Sequence, residues 1–498
     1  MNEMKELGKV KTLAITCRQF GDTGKGKFVD LFADWADIIV RGTGGDNAGH
    51  SIYADGQEIV NHIIPSGILR DYLGVVNIIG NGTVVYPRSV IKELDNLEAA
   101  GLSYDNLKIA YNAKLILPPE IVMDRVSESV AGEGKIGSTG KGIGPTYGDF
   151  IARHGLVVND LLNPDFFRKK LKRHLEYYKT ILRNYDPEVL RNILWHEHLE
   201  SGLYYDEHDI FYFDSIYEQY LKYGQKLKPF IIDADNFVRE RVGKKKILLE
   251  GAQGDLLSID RGTYPFVTSS DSTVAGLAKG AGLKESDVDL SLGIIKGFYM
   301  TRVGRGPFPT ELGDYRSDDW CGRSHVNRKL EKELYDKLSI NDKDEFFQGI
   351  ALRQVGCEYG ATTKRPRRTG WLDLPLLRYT LGFNSKDIIL TKLDVLNDFE
   401  TIKICKEYKY EGPSCCYAGK QITSGDILTV AVPEPEILKN CTPIYESFPG
   451  WKTSLKACKS FEDLPKELKN ILEYIVEQTG IKPRIISIGP DREETIFI

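Results

Sequence analysis

Apolar and polar positions follow two spacings along the chain. Residues 10–17 (VKTLAITC) form a short run rich in apolar and β-branched side chains, the pattern of a buried strand. A glycine-rich loop follows. From 27 to 36 (KFVDLFADWA) the apolar residues return at helical spacing, and 36–41 (ADIIVR) reads as a second strand. Strand, loop, helix and strand in that order predict an α/β unit with the loop at the C-terminal edge of the sheet, where open α/β sheets bind ligands. Further strand-like runs lie at 75–79, 247–250, 290–295, 387–391 and 484–487, and most end in a glycine-rich or polar motif. Helical patterning fills the intervals, notably 165–183. Two stretches read as excursions: about 196–242, rich in Tyr and Glu, and about 313–349, rich in charge. The predicted class is α/β, a large and mostly parallel central sheet flanked by helices, with helical and small-sheet excursions.

At 498 residues the chain could hold roughly three domains or one large one. A net charge of −5 argues against a broad basic face for nucleic acid. No apolar run approaches the ~18 residues of a membrane span, and no signal peptide is apparent at the N-terminus. The eight cysteines show no C-x-x-C spacing, which fits reduced thiols in a cytoplasmic protein. His196 and His198 lack the spacing that puts two imidazoles on one helical face, and read as surface.

Five motifs carry candidate chemistry. Residues 21–27 (GDTGKGK) combine three glycines, which let the backbone approach an oxyanion, with Lys25 and Lys27 as point charges. The loop lacks the Ser/Thr of a Walker sequence after its last lysine and contains Asp22, which a polyphosphate alone would repel. Residues 44–51 (GGDNAGHS) place His50 in a tight loop after the second strand, and 137–145 (GSTGKGIGP) form another glycine-dense loop. Each could equally be an ordinary turn. Residues 391–394 (TKLD) match the pattern by which GTPases read guanine: a carboxylate accepts two hydrogen bonds from N1–H and N2–H₂, and adenine would leave it unpaired. Residues 360–373 (GATTKRPRRTGWLD) hold Arg365, Arg367 and Arg368 among Thr, Pro and Gly, a shaped loop suited to a carboxylate or phosphate. An ordinary GTPase needs neither this loop nor Asp22; a GTP-consuming ligase uses both.

With these motifs, and with HIIPSGIL, EGAQGDLLSIDRGTYPFVTSS, TRVGRGPFPTEL and ISIGPDREET at their places, the sequence resembles the adenylosuccinate synthetase family from about Lys11 onward. The resemblance implies a single domain over 1–498 and a P-loop-like site where GTP drives the joining of IMP and L-aspartate. It implies that Asp22 removes the N1 proton of IMP and ligates Mg²⁺ together with the carbonyl of Gly49. His50 and Lys25 would assist phosphoryl transfer. GTP would meet Gly21, Asp22, Thr23, Gly24, Lys25, Gly26 and Lys27, then Gly49, His50, Ser51 and Arg367. Lys392, Leu393, Asp394, Ser487 and Gly489 would hold its guanine. IMP would meet Asp22, Lys25 and His50, with Asn47, Thr139, Gln253, Thr268 and Arg365. The L-aspartate carboxylates would fall to Ala361, Thr362, Thr363, Lys364, Arg365 and Arg367. Arg153 would reach the partner's IMP across a homodimer. Departures at Phe20, Thr23, Asp46, Asp271, Lys364, Pro366 and Ile488 imply a divergent branch. The alternatives are the same chemistry on dGMP, whose enzymes usually lack the catalytic aspartate kept here as Asp22, or an inactive GTP-binding homologue.

Overall fold

The computed structural model describes residues 5–54, 57–201, 210–360 and 364–498. Ten strands form the central sheet. Along the chain they are β1 (Thr12–Cys17), β2 (Ile38–Arg41), β3 (Val76–Ile79), β4 (Leu107–Ala110), β5 (Ile231–Ile232), β6 (Ile247–Glu250), β7 (Leu290–Lys296), β8 (Asp387–Thr391), β9 (Lys482–Ser487) and β10 (Thr495–Phe497). Across the sheet the order is β10-β9-β8-β7-β1-β6-β2-β3-β4-β5. Neighbours are parallel except β9 and β10, which are antiparallel.

All six residues of β1 are buried, as a strand covered on both faces requires. Leu13 registers with Leu248 of β6 on one side and Leu290 of β7 on the other. The chain leaves β1 toward β2 and β3, then returns to fill the places on either side of β1. That makes the C-terminal end of β1 a switch point, and the 21–24 loop sits there.

Helix α1 (Lys25–Ala33) follows this loop and starts two residues earlier than its apolar spacing predicts, because Gly24 at φ 83 breaks the chain just before it. Phe28, Val29 and Phe32 pack with Leu13, Ile15, Ile39 and Leu248. Phe28 is fully buried, worth about 1.5–3 kcal/mol in transfer alone.

A second sheet joins Tyr299–Arg302, Arg368–Asp373, Thr401–Tyr410 and Ile427–Leu428, with Cys441–Pro449 paired to Thr401–Tyr410. It shares a large apolar core with the helices Leu374–Leu381 and Lys466–Thr479. Its strand Arg368–Asp373 continues directly from the arginine-rich loop and anchors it.

The described parts of both excursions are packed structure. Helix Phe213–Leu227 lies on helix Pro164–Leu182, with the Phe167 and Tyr217 rings stacked at 5.7 Å. The first excursion then re-enters the central sheet as its edge strand β5. The side chains of His196 and His198 lie outside the described residues. The second excursion contributes Asp314–Gly322, Arg328–Leu334 and the start of Glu345–Val355 around a small core of Trp320, Val326, Phe346 and Ile350. No helix among the described residues is long and apolar enough to cross a membrane.

Candidate active site

A cavity of about 660 Å³ opens at the C-terminal edge of the central sheet. The 21–27 loop forms its floor. Gly21, Asp22 and Gly24 have φ of 85°, 52° and 83°, left-handed conformations that curl a loop into an anion-binding concavity. Asp tolerates this better than most residues, though still at about 1–2 kcal/mol. Lys25 opens α1 and is buried; its Nζ donates to the carbonyl of Gln253 at 2.5 Å. The hydroxyl of Thr23 is buried and makes no hydrogen bond among the described residues. Its carbonyl instead accepts from Thr391 Oγ1 at 3.0 Å, tying the loop to the end of β8.

Lys27 points elsewhere. Its Nζ donates to Ser487 Oγ and Gly489 O, both at 2.8 Å, and to Glu494 O at 3.1 Å. Burial lowers its pKa to about 8. It fixes the turn after β9, where the guanine is expected. Opposite stands the end of β8, where Lys392 adopts φ 58° and its Nζ donates to Gly356 O at 2.6 Å. Burial raises the Asp394 carboxyl and Lys392 opposes that shift.

His50 stands over the loop. Its Nδ1 lies 2.5 Å from Glu250 Oε1, at the end of β6, and Glu250 also accepts from Ser66 Oγ (2.7 Å) and Ser66 N (2.8 Å). Burial lowers the histidine pKa, and the glutamate partly counters this. Burial would raise Glu250, but the bond from His50, Arg41 and Ser66 outweigh it and keep the carboxylate ionised. One proton on Nδ1 satisfies both partners and leaves Nε2 for a ligand.

The base of the cavity is held by hydrogen bonds among side chains, of which Asn47, Asp124, Ser138 and Gln253 also line it. Gln253 Nε2 donates to Asn47 Oδ1 at 3.2 Å. Asp124 on helix Pro118–Val130 accepts from Ser138 Oγ (2.6 Å) and Gly142 N (2.9 Å), shaping the glycine-dense loop. Asp46 accepts from Ser89 Oγ at 2.6 Å, and Asp271 accepts from Ser258 Oγ at 2.9 Å. Both departures from the family pattern are therefore structural partners.

Across the cavity, Arg367 Nε lies 2.7 Å from Asp22 Oδ2, and its Nη1 donates to Glu358 Oε2 at 2.8 Å. The cavity is also lined by Gly26, Gly49, Thr139, Thr268, Lys364 and Gly489. Of the other expected residues, Leu393 is buried, and Arg365 and Arg153 are exposed outside the lining. Ala361, Thr362, Thr363 and the side chain of Ser51 lie outside the described residues. Sequence reasoning missed Glu250, Glu358, Arg305 and Arg328. Glu250 was open to discovery as an acid closing a fully apolar strand. Arg328 comes from the charged second excursion, where no pattern marks it. Off the cavity, Asp149, His154 and His174 place ligand atoms within 4.8 Å of one another, a possible metal-binding group. Neighbours bond to it, with His174 Nε2 3.0 Å from Glu120 Oε1 and Tyr178 OH donating to Asp149 Oδ2 at 2.7 Å, while Nδ1 of His154 and of His174 make no hydrogen bond among the described residues.

Sheet and cavity define an α/β enzyme that holds a nucleotide at its switch point. The adenylosuccinate synthetase family model matches residues 14–496. An adenylosuccinate synthetase of Caldicellulosiruptor bescii is 40% identical over 487 residues, covering 97% of this chain and 98% of that one. One from Ralstonia pickettii is 39% identical over 492 residues, covering 98% and 97%. The fully ligated adenylosuccinate synthetase of Plasmodium falciparum superposes with a TM-score of 0.77 at 32% identity, covering 99% of this chain and 100% of that one. The succinoaminodeoxyadenylate synthetase of cyanophage S-2L, bound to dGMP and dATP, gives a TM-score of 0.52 at 15% identity over 98% and 95%, a likeness of fold alone. The chain belongs to the adenylosuccinate synthetase family and is a GTP-dependent carbon–nitrogen ligase, joining L-aspartate to IMP to give adenylosuccinate, GDP and phosphate.

Proposed function

We propose that Asp22 is the base of this reaction and that Lys25 and His50 act on the transferring phosphoryl group. Asp22 takes the N1 proton of IMP, which places negative charge on O6, and O6 attacks the γ-phosphorus of GTP. Lys25 and His50 Nε2 stabilise the charge that develops there. The amine of L-aspartate then displaces the 6-phosphoryl group at C6. The guanine lies between Lys392, Asp394 and the turn at Ser487–Gly489. The arginine-rich loop with Arg367 receives the L-aspartate carboxylates. The observation that carries this reading is the convergence of Asp22, Lys25 and His50 in one cavity with the base-reading end of β8.

The donor set fits a hard cation: Asp22 and Gly49 line one cavity, and a carboxylate and a main-chain carbonyl are both oxygen ligands. Mg²⁺ held by them would neutralise phosphate charge beside Asp22. The homodimer is supported by Phe150 and Ile151, 40% and 80% exposed, next to Arg153: an apolar patch that a second copy would cover while receiving the arginine. Such an enzyme would work in the cytoplasm.

The test is GDP release with IMP or dGMP at saturating L-aspartate and Mg²⁺. Turnover with IMP is expected. Turnover with dGMP alone would overturn the acceptor assignment.

A further inference from the structure

Glu358 is fully buried, yet it is bonded toward two corners of the cavity. On the sheet side Lys296 Nζ and Tyr299 OH donate to it, each at 2.7 Å. On the cavity side Arg367 Nη1 lies at 2.8 Å and Lys392 Nζ at 3.3 Å. The backbone fixes it as well. Its N–H donates to Arg353 O at 2.8 Å, and its carbonyl accepts from Arg367 N at 2.9 Å, so Glu358 and Arg367 close the stem of the arginine-rich loop.

Lys296 alone would neutralise the buried charge, and Tyr299 OH already donates to the other carboxylate oxygen. The two further cations are the ones that face the cavity. Arg367 has a second acidic partner, Asp22, at 2.7 Å. Whether or not Asp22 keeps that contact while it acts on a substrate proton, Glu358 still holds Arg367. Lys392, on the same carboxylate, starts the base-reading segment after β8.

We propose that Glu358 is a positioning residue that couples the two corners: one carboxylate, clamped by Lys296 and Tyr299, sets Lys392 at the guanine and Arg367 at the L-aspartate side. This rests on the roles given above to Lys392 and Arg367. The buried cluster favours an ionised glutamate, since three cations outweigh the effect of burial and hold its carboxyl far below the usual range.

The test is kinetic. In wild type, Lys392→Met and Arg367→Lys are expected to be non-additive in kcat/KM, and in an E358Q background they become additive. E358Q itself is expected to lower kcat by about 10²-fold, the scale of a displaced catalytic group. Because E358Q strands a buried lysine, K296M/E358Q removes both charges together and serves as the folded control, checked by circular dichroism and thermal melting. E358D, which keeps the charge, is expected to recover part of the rate. Additive effects of Lys392→Met and Arg367→Lys in wild type, or wild-type kcat and KM values in a folded K296M/E358Q, would overturn the proposal. A wild-type chain that releases no GDP with IMP would instead overturn the underlying assignment.

Discussion

The carboxylate of Asp22 and the guanidinium of Arg367 lie 2.7 Å apart across the cavity. The proposed base thus rests against a residue of the loop expected to bind L-aspartate. Asp22→Asn removes the base and weakens this contact. It is expected to lower kcat by about 10²–10⁴-fold, the usual contribution of a general base. Binding of a fluorescent GDP analogue, which depends on the loop backbone and β8, should change little. A near-wild-type rate would remove Asp22 from its role.

His50 depends on Glu250 for its tautomer. Glu250→Gln is expected to reduce kcat by roughly 10²-fold, the scale of one oriented donor at a developing charge. The paired variant His50→Asn/Glu250→Gln should be no worse than His50→Asn alone, because both act through one imidazole. Fully additive losses would show that Glu250 acts by another route.

Asp373 gives a pH dependence of stability. Burial raises its carboxyl to about 7, although Tyr408 OH and Leu376 N–H both donate to it. The folded chain keeps this proton up to about pH 7, while the unfolded chain releases it near the ordinary 3.8. Stability from this group is therefore lost as pH rises between those values, by up to about 1.4 kcal/mol per pH unit. Asp373→Asn keeps an acceptor for Leu376 N and should flatten that slope. Melting temperatures at pH 5 and pH 7.5 decide it; an unchanged slope means the proton is not on Asp373.

Arg153 is exposed in its own protomer and has φ 69°. If it completes a neighbouring site, specific activity should fall on dilution as dimers separate, and Arg153→Ala should raise the KM for IMP without lowering the melting temperature. Full activity of a monomer, established by sedimentation, would refute the shared site.

Much of the central sheet was legible because its strands are buried on both faces, so VKTLAITC, ILLE and DIILT read as continuous apolar runs. The edge strands were not: Ile231–Ile232 has two residues and Thr495–Phe497 three, too few for any period. The second sheet escaped because Thr401–Tyr410 carries a mixed exposed and buried pattern interrupted by a register shift. Glycine-rich loops advertised the cavity floor. Glu358 did not stand out, since an isolated acid gains meaning only from partners remote in sequence. Lys27 shows the converse: its place in a phosphate-like motif suggested an anion, but its Nζ serves the turn after β9.

That reach of Lys27 to Ser487, Gly489 and Glu494 has a consequence in time. Lys27 and Ser487 are 460 positions apart, so the nucleotide loop leaves the ribosome well before its far wall. Arg492 reinforces the clasp by donating to Asp30 O and Leu31 O on α1 and pairing with Asp34 just after it. A nascent chain therefore carries an unfinished purse, open on one side, until β9 and β10 join the sheet. GTP would be recognised only after those two strands have joined.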